Sequence, residues 1–254
     1  MAYAKQKREL YCKSYLLNGG MLLEEMIRWQ VASVLMEIRG SFKWNEFKAL
    51  PTLDEKLKYA EANLQELGRG SSRAAFLLSN RYVLKVALPE SGEKGIGQNK
   101  GELQVFSNTA SQGTVAAIQD ADKNGEWLVS ELARPLSSPE EFQKMTGVPW
   151  DDFVSIIRNY KDIADEAKEI QDGIKVWTRR GNDKKVQMLQ KRLQNLQKTL
   201  QSPVVKGSLA LINSANVMPG DIWEVDHWAK TADGRVILID YGFTRDLANL
   251  YKAA

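Results

Sequence analysis

A lysine, a glutamate and an aspartate occur at positions from which they could bind phosphate groups and a divalent metal. Lys85 lies in the middle of an apolar segment, Tyr82 to Ala87, where an ammonium group needs a carboxylate partner or an anionic ligand unless it faces solvent. Glu102 follows seventeen residues later, at the start of a predicted helix that could reach back to pair with it. Asp240 ends another apolar run, directly before a tyrosine and a glycine. A carboxylate at such a strand end commonly holds magnesium.

A second aspartate and a glycine-containing turn complete the set of candidate residues. Asp221 precedes Asp240 by nineteen residues, a separation that fits a hairpin bringing the two carboxylates together. The stretch from Gly68 to Ser72 reads Gly-Arg-Gly-Ser-Ser, and its backbone amides and hydroxyls could approach phosphate oxygens. Ordinary turns also favour glycine and aspartate, so each piece alone has a purely structural interpretation. Their order along the chain is more informative than any one of them.

The residues must be positioned by short strands that alternate with helices. Apolar segments separated by turn residues predict an antiparallel hairpin from Ala75 to Ala87. The polar stretch from 89 to 101 contains four glycines and is predicted to be a loop that leads into a short helix, Glu102 to Ser107. Four further strands are predicted from Thr114 to Gln119, Glu126 to Leu132, Trp223 to Lys230 and Arg235 to Asp240.

Helical periodicity dominates the rest of the chain. Ser138, Pro139 and Glu141 have the spacing of a helix N-cap, a first-turn proline and a capping box. Residues 151–201 predict a long helical hairpin, interrupted at Gly181 to Asp183. Further helices are predicted at 21–39, Thr52 to Leu67, Pro203 to Asn216 and from about Arg245, with a loop at Val217 to Asp221.

Composition excludes several classes of protein. Hydrophobic residues make up 43% of the 254 residues, enough for a sizeable core, and no run of 18 apolar residues predicts a membrane span. Cys12 is the only cysteine, so the chain forms no internal disulfide. The N-terminal segment is basic without the apolar run of a signal peptide. We therefore expect a cytoplasmic protein.

The candidate residues and their elements, taken in order along the chain, resemble the protein-kinase-like fold, whose signature elements follow one another in the same order. The resemblance covers Leu67 to Thr244. Within this fold family, the chain is similar in particular to minimal kinase-like proteins of bacteriophages and some bacteria. A phage-encoded chain would lie in the host cytoplasm. The segments that carry it are LGRGSSRAAF, YVLKVA, GIGQNKGELQVF, WLVSELARPL with EEFQKMTG, VMPGDIWEVDHWA and VILIDYGFT. It implies an α+β, bilobal fold. An N-terminal helical cap (1–66) would precede a small antiparallel sheet lobe (67–134) and a reduced helical lobe (135–254).

The resemblance also implies a role for each candidate residue, with ATP and Mg²⁺ as cofactors. Lys85 would hold the α- and β-phosphates and pair with Glu102, Asp221 would orient or deprotonate the acceptor hydroxyl, and Asp240 would bind magnesium. The turn residues Gly68, Gly70, Ser71 and Ser72 would cover the phosphates. The backbone between Glu131 and Ala133 would bind adenine.

Two positions depart from the family pattern. Pro219 stands where a histidine or arginine would brace the catalytic loop. The second metal ligand, usually asparagine, is expected five residues after Asp221, which gives Asp226; an alignment shifted by one gives His227, the only histidine. Aspartate is a competent ligand for magnesium and neutral histidine a poor one, so Asp226 is preferred. The alternative role of His227 is a structural hydrogen bond beside the site.

A basic segment lies inside the predicted helical hairpin. Between Gly173 and Leu200 the chain carries eight Lys or Arg and one acid, a local charge of +7 in a protein of net charge +3. One interpretation is an electrostatic surface for nucleic acid or an acidic protein, contacting backbone phosphates. The other is a solvated hairpin that completes the helical lobe. The residues that would contact nucleic acid are Lys184, Lys185, Lys191 and Arg192.

These observations predict an ATP- and magnesium-dependent kinase that acts on Ser, Thr or Tyr hydroxyls of a protein. The alternatives are a pseudokinase that binds nucleotide or a partner without turnover, and an AMP-transferase or small-molecule kinase. The chain ends fourteen residues after Asp240, so we expect no activation segment or large helical lobe of the conventional kind. The acceptor would then be presented by the N-terminal cap, the basic hairpin or a second chain.

Overall fold

The structure is a computed structural model that describes residues 42–108 and 113–253. The chain forms two compact units, Met1–Glu66 and Leu67–Ala254. The helix predicted from 21 to 39 lies outside the described residues. The described chain consists of helices and antiparallel sheets, as expected for an α+β protein.

The described part of the first unit contains two helices, α1 (Trp44–Ala49) and α2 (Leu53–Asn63). Thr52 caps α2 through a capping box with Glu55. The aromatic rings of this unit pack together, with the Phe42 and Phe47 centroids 5.4 Å apart. The predicted helix to Leu67 was too long. At Leu64 the backbone becomes extended, because the following residues belong to strand β1 (Gln65–Arg69).

A five-stranded antiparallel sheet is formed by β1, β2 (Arg73–Leu77), β3 (Tyr82–Ala87), β4 (Ile118–Ala121) and β5 (Trp127–Glu131). The strand order is β1-β2-β3-β5-β4. Lys85, on β3, lies between Ala75 of β2 and Leu128 of β5. The predicted hairpin is thus present. The strand predicted from Thr114 starts only at Ile118, because the backbone before it bonds to Leu238 instead.

Helix α3 (Glu93–Ser107) packs against this sheet. The sequence predicted a loop over most of this helix, and that prediction was wrong. The predicted loop from 89 to 101 is mostly helix, and α3 has 15 residues. Its glycines are sites of close backbone approach. A Cβ on Gly95 would lie 2.2 Å from the Ser72 carbonyl oxygen, and one on Gly101 would lie 2.3 Å from that of Gly242. Tertiary packing has overridden the low helix propensity of glycine.

The remaining helices surround a core that includes Phe142, Phe153 and Trp228. Ser138 caps the helix Pro139–Thr146 as predicted, but the Glu141 side chain accepts from Ser137 and not from the Ser138 backbone. The hairpin predicted for residues 151–201 divides into one helix, Trp150–Arg158, and a separate hairpin of Ile163–Arg179 and Asp183–Gln201. These helices are α4 (Pro139–Thr146), α5 (Trp150–Arg158), α6 (Ile163–Arg179), α7 (Asp183–Gln201), α8 (Pro203–Ser214), α9 (Pro219–Ile222) and α10 (Arg245–Ala253).

A second, three-stranded antiparallel sheet is formed by β6 (Ala133–Pro135), β7 (Trp228–Thr231) and β8 (Val236–Leu238). Its strands are shorter than predicted. The backbone from Val225 to His227 forms a 3-10 turn before β7, and the chain leaves β8 two residues before Asp240. The buried Trp228 indole donates to the Ile222 carbonyl at 2.8 Å, which fixes α9 beside the sheet. In the described residues, no helix has the length and apolar character needed to cross a bilayer.

The contact between α3 and Gly242 gives a test of this packing. We expect Gly101→Ala to lower the free energy of unfolding by about 1–3 kcal/mol, because its Cβ would meet backbone and not a movable side chain. Urea denaturation measures the change. Gly220→Ala is the matched control, since a Cβ there meets nothing within 4 Å. Equal losses in the two variants would contradict the close approach.

Candidate active site

Lys85 and Glu102 form the centre of a charged cluster. The Lys85 Nζ lies 2.8 Å from both carboxylate oxygens of Glu102. It also donates to the Ile239 carbonyl at 2.7 Å. Glu102 is completely buried, and a buried carboxylate requires such partners. One ammonium group therefore joins β3, α3 and the segment that follows β8.

Arg73 is a second cation in this cluster, and the sequence analysis did not identify it. Its NH1 donates to Glu102 Oε1 at 2.7 Å and to Asn99 Oδ1 at 3.3 Å. Its NH2 donates to Asp240 Oδ1 at 2.7 Å. Only 9% of the Arg73 side chain is exposed. The signal available in the sequence was an arginine directly after the glycine-containing turn and directly before the apolar residues of β2.

Burial and charge act against each other in this cluster. Burial lowers the pKa of Lys85 below its ordinary value, although Glu102 opposes the shift. Burial also disfavours the Arg73 cation, but Glu102 and Asp240 more than compensate and raise its pKa. Burial acts to raise the pKa of Asp240, yet Arg73 and Lys85 outweigh it and hold that pKa below its ordinary value. Since 43% of the Asp240 side chain is exposed, we conclude that it presents an ionised carboxylate to solvent.

Asp221 lies on the one-turn helix α9, where the sequence analysis predicted a loop. Its Oδ2 accepts from the Phe243 backbone amide at 3.2 Å. Burial, followed by the nearby Asp240 charge, raises the pKa of Asp221 to about 7. The Met218 amide donates to the Phe243 carbonyl at 3.0 Å, which ties the two aspartate-bearing segments together. A carboxyl group with this pKa can take up a proton near neutral pH.

The glycine-containing turn joins β1 to β2 at the edge of the sheet. Gly68 lies within β1, Gly70 donates from its amide to the Arg73 carbonyl at 2.9 Å, and Ser71 is exposed. Ser72 is buried, and its hydroxyl donates to Gln98 on α3 at 2.6 Å. A phosphate could therefore reach the exposed part of the turn, whereas the Ser72 hydroxyl already has a partner.

The predicted adenine-binding linker connects the two sheets. Glu131 ends β5 and Ala133 begins β6. The Glu131 amide donates to the Ala117 carbonyl at 2.8 Å, and its carboxylate accepts from Arg235 at 2.5 Å. These contacts hold the linker in place, and adenine binding by its backbone stays a prediction.

The two candidates for a second metal ligand lie on the 3-10 turn before β7. Asp226 is exposed, whereas His227 has electrostatic contact with both Asp221 and Asp240. The His227 Nδ1 lies 2.9 Å from the Asp221 carbonyl oxygen. Across residues 42–108 and 113–253, no group of three His, Cys, Asp or Glu side chains is placed to hold a metal ion. Arg73 occupies one oxygen of Asp240, and magnesium binding by Asp240 with Asp226 or His227 stays a prediction.

The basic residues of the helical hairpin lie exposed on α7. Arg192 pairs with Glu166 of α6 at 2.7 Å, and the Lys185 Nζ lies 3.8 Å from the centroid of the Trp177 ring. Lys184 and Lys191 are exposed on the same helix. A nucleic-acid partner for this surface stays a prediction.

The raised pKa of Asp221 predicts a pH-dependent stability. The folded protein holds a proton on Asp221 that the unfolded chain has released, so the folded state loses stability as the pH rises from about 4 to about 7. Asp221→Asn removes this cost. A pKa raised from 3.8 to about 7 corresponds to roughly 4 kcal/mol, so we expect the variant to exceed the wild type by about that amount at pH 8 and to match it near pH 4.

Thermal unfolding of both proteins at the two pH values measures this difference. The control is Asp226→Asn, which changes an exposed carboxylate nearby. A gap between wild type and Asp221→Asn that does not vary with pH would rule out the raised pKa.

Comparison with known proteins gives little further guidance. No protein-family model matches the chain, and no curated protein matches it in sequence. A similar solved structure is described as the streptomycin-ATP-APH(2")-IIa ternary complex, with a TM-score of 0.26 and 14% sequence identity. The match covers 48% of this chain and 40% of that one.

Proposed function

We propose that this protein is an ATP-dependent phosphotransferase of the protein-kinase-like class, which transfers a phosphoryl group to Ser, Thr or Tyr hydroxyls of a protein. One observation carries the proposal. The Lys85 ammonium contacts Glu102 of α3 and the backbone beside Asp240 at the same time. A cation held at the junction of a sheet, a helix and a strand-end carboxylate is suited to bind the phosphates of ATP.

In this proposal the nucleotide is bound by the first sheet and its surroundings. Lys85 donates to the α- and β-phosphates, and the exposed turn from Gly68 to Ser71 covers them. The backbone from Glu131 to Ala133 contacts adenine, and Glu102 keeps the lysine oriented. Phosphoryl transfer needs mainly such positioning and charge neutralisation.

Asp221 is the proposed base for the acceptor. Its carboxylate accepts the proton of the acceptor hydroxyl while the acceptor oxygen forms a bond to the γ-phosphorus. The bond between that phosphorus and its bridging oxygen breaks, and ADP leaves with the electron pair. The pKa of about 7 supports this role, because a base titrating near the working pH is both available and effective. ATP enters as the substrate.

A second candidate is a pseudokinase that binds nucleotide without turnover. The ion pair between Arg73 and Asp240 favours it, since a carboxylate engaged by a guanidinium is not free to organise a metal on both oxygens. Pro219, in place of a bracing side chain before Asp221, points the same way. Nucleotide binding without transfer would distinguish this candidate from the kinase.

Labelled ATP tests the proposed transfer. Incubation with γ-labelled ATP should label the protein itself or a lysate protein, and α-labelled ATP should not. We expect Lys85→Met to reduce the labelling at least about 100-fold, because it removes the central phosphate-binding charge. Lys230→Met is the matched control, since Lys230 is an exposed lysine on β7, and it should keep the wild-type rate.

Three other outcomes would each change the assignment. Transfer of the α-label would indicate AMP transfer. Unchanged labelling in Lys85→Met would show that the site is elsewhere. Labelling of a small molecule and not of a protein would identify a small-molecule kinase.

A further inference from the structure

We propose that Arg73 is the built-in cation of this site, standing on Asp240 in place of a divalent metal, so that nucleoside triphosphates bind without one. The inference rests on the proposed function in taking the ligand to be a nucleotide. It adds a residue and a cofactor requirement that the resemblance to kinases does not imply. Its basis is that Asp240, predicted to be a magnesium ligand, accepts a hydrogen bond from Arg73.

The Arg73 guanidinium donates hydrogen bonds to three acceptors, which distinguishes it from a surface ion-pair partner. Its acceptors are Glu102, Asn99 and Asp240, at 2.7, 3.3 and 2.7 Å. Asn99 is itself fixed, because its amide donates to the Gly125 carbonyl at 2.9 Å. A planar guanidinium bound in this way loses little freedom on meeting a phosphate.

The backbone adds to this rigidity. Arg73 is the first residue of β2. Its carbonyl accepts a hydrogen bond from the Gly70 amide, and it lies opposite Ala87 of β3 in the sheet. The residue therefore begins where the exposed turn proposed to cover the phosphates ends. An anion reaching that turn would approach a cation whose position is already set.

The charges of the cluster also favour this assignment. The four ion-paired groups balance one another before any ligand arrives, with Arg73 and Lys85 as cations against Glu102 and Asp240. Without Arg73 the cluster would carry a net negative charge, which repels a polyphosphate and attracts a metal. With Arg73 present, a divalent ion on Asp240 would lie close to a fixed positive charge and be repelled. The arrangement therefore lowers the affinity for metal and raises it for anions.

A metal titration tests this inference without any nucleotide. Free Mn²⁺ is measured by electron paramagnetic resonance in the presence of wild type, Arg73→Met and Arg81→Met. Arg81 is an exposed arginine in the turn between β2 and β3, so its variant is the matched control. We expect Arg73→Met to bind Mn²⁺ at least about tenfold more tightly than the wild type, and Arg81→Met to be unchanged. Equal or weaker Mn²⁺ binding by Arg73→Met would overturn the proposal.

Wild-type protein gives a second test that does not depend on the folding of a variant. Calorimetry measures ATP binding once with EDTA and once with saturating magnesium. We expect the two dissociation constants to differ by less than about tenfold. Tighter binding in magnesium by about tenfold or more would overturn the proposal while leaving a nucleotide site in place. Failure to bind ATP under both conditions would instead contradict the proposed function, and the Mn²⁺ titration would still report on Arg73.

Discussion

The charge of Glu102, buried without access to solvent, is the constraint on which the candidate site depends. An ionised carboxylate in such a position is strongly unfavourable unless cations and hydrogen-bond donors surround it. Lys85 and Arg73 supply both, from adjacent strands of one sheet. Each cation also reaches beyond Glu102, to the Ile239 carbonyl and the Asp240 carboxylate respectively. The need to neutralise one buried charge therefore fixes the segment after β8 against the sheet.

That arrangement requires α3 to approach the same segment more closely than helices normally allow. Gly101 and Gly242 make the approach possible, because a Cβ at either position would collide with backbone atoms of the other segment. A Cβ on Gly242 would also lie 3.1 Å from the Glu102 Cγ. Side chains at these two positions would separate Glu102 from Asp240, and a single guanidinium could no longer bridge them. The glycines thus determine the electrostatics of the cluster through distance alone.

The sequence allowed part of this site to be predicted. Lys85 and Glu102 were recognisable as a pair because an apolar strand and a following helix implied their approach, and the strand end marked Asp240. Arg73 was missed for two reasons. The predicted strand began at Ala75, which left Arg73 in the turn, and its partners lie 29 and 167 residues away in the sequence. Local patterns do not reveal contacts of that range.

The length of α3 was missed for a related reason. Glycine lowers helix propensity, so a glycine-rich polar stretch predicts a loop unless the close contacts of those glycines are known. The short helix that carries Asp221 is a comparable case, since its position depends on the indole of Trp228 and the Phe243 amide. In each case the sequence contained the residues, and the tertiary partner decided their conformation.

The hydrogen bonds of Lys85 have a consequence for how any ligand arrives. An ammonium group has three N–H donors, and here they face the two oxygens of Glu102 and the Ile239 carbonyl. An incoming anion must displace one acceptor, and the uncharged carbonyl is held less strongly than the carboxylate. Release of that carbonyl frees the peptide group between Ile239 and Asp240 to rotate. Occupancy at the lysine would then be transmitted through one peptide plane to the orientation of the neighbouring carboxylate.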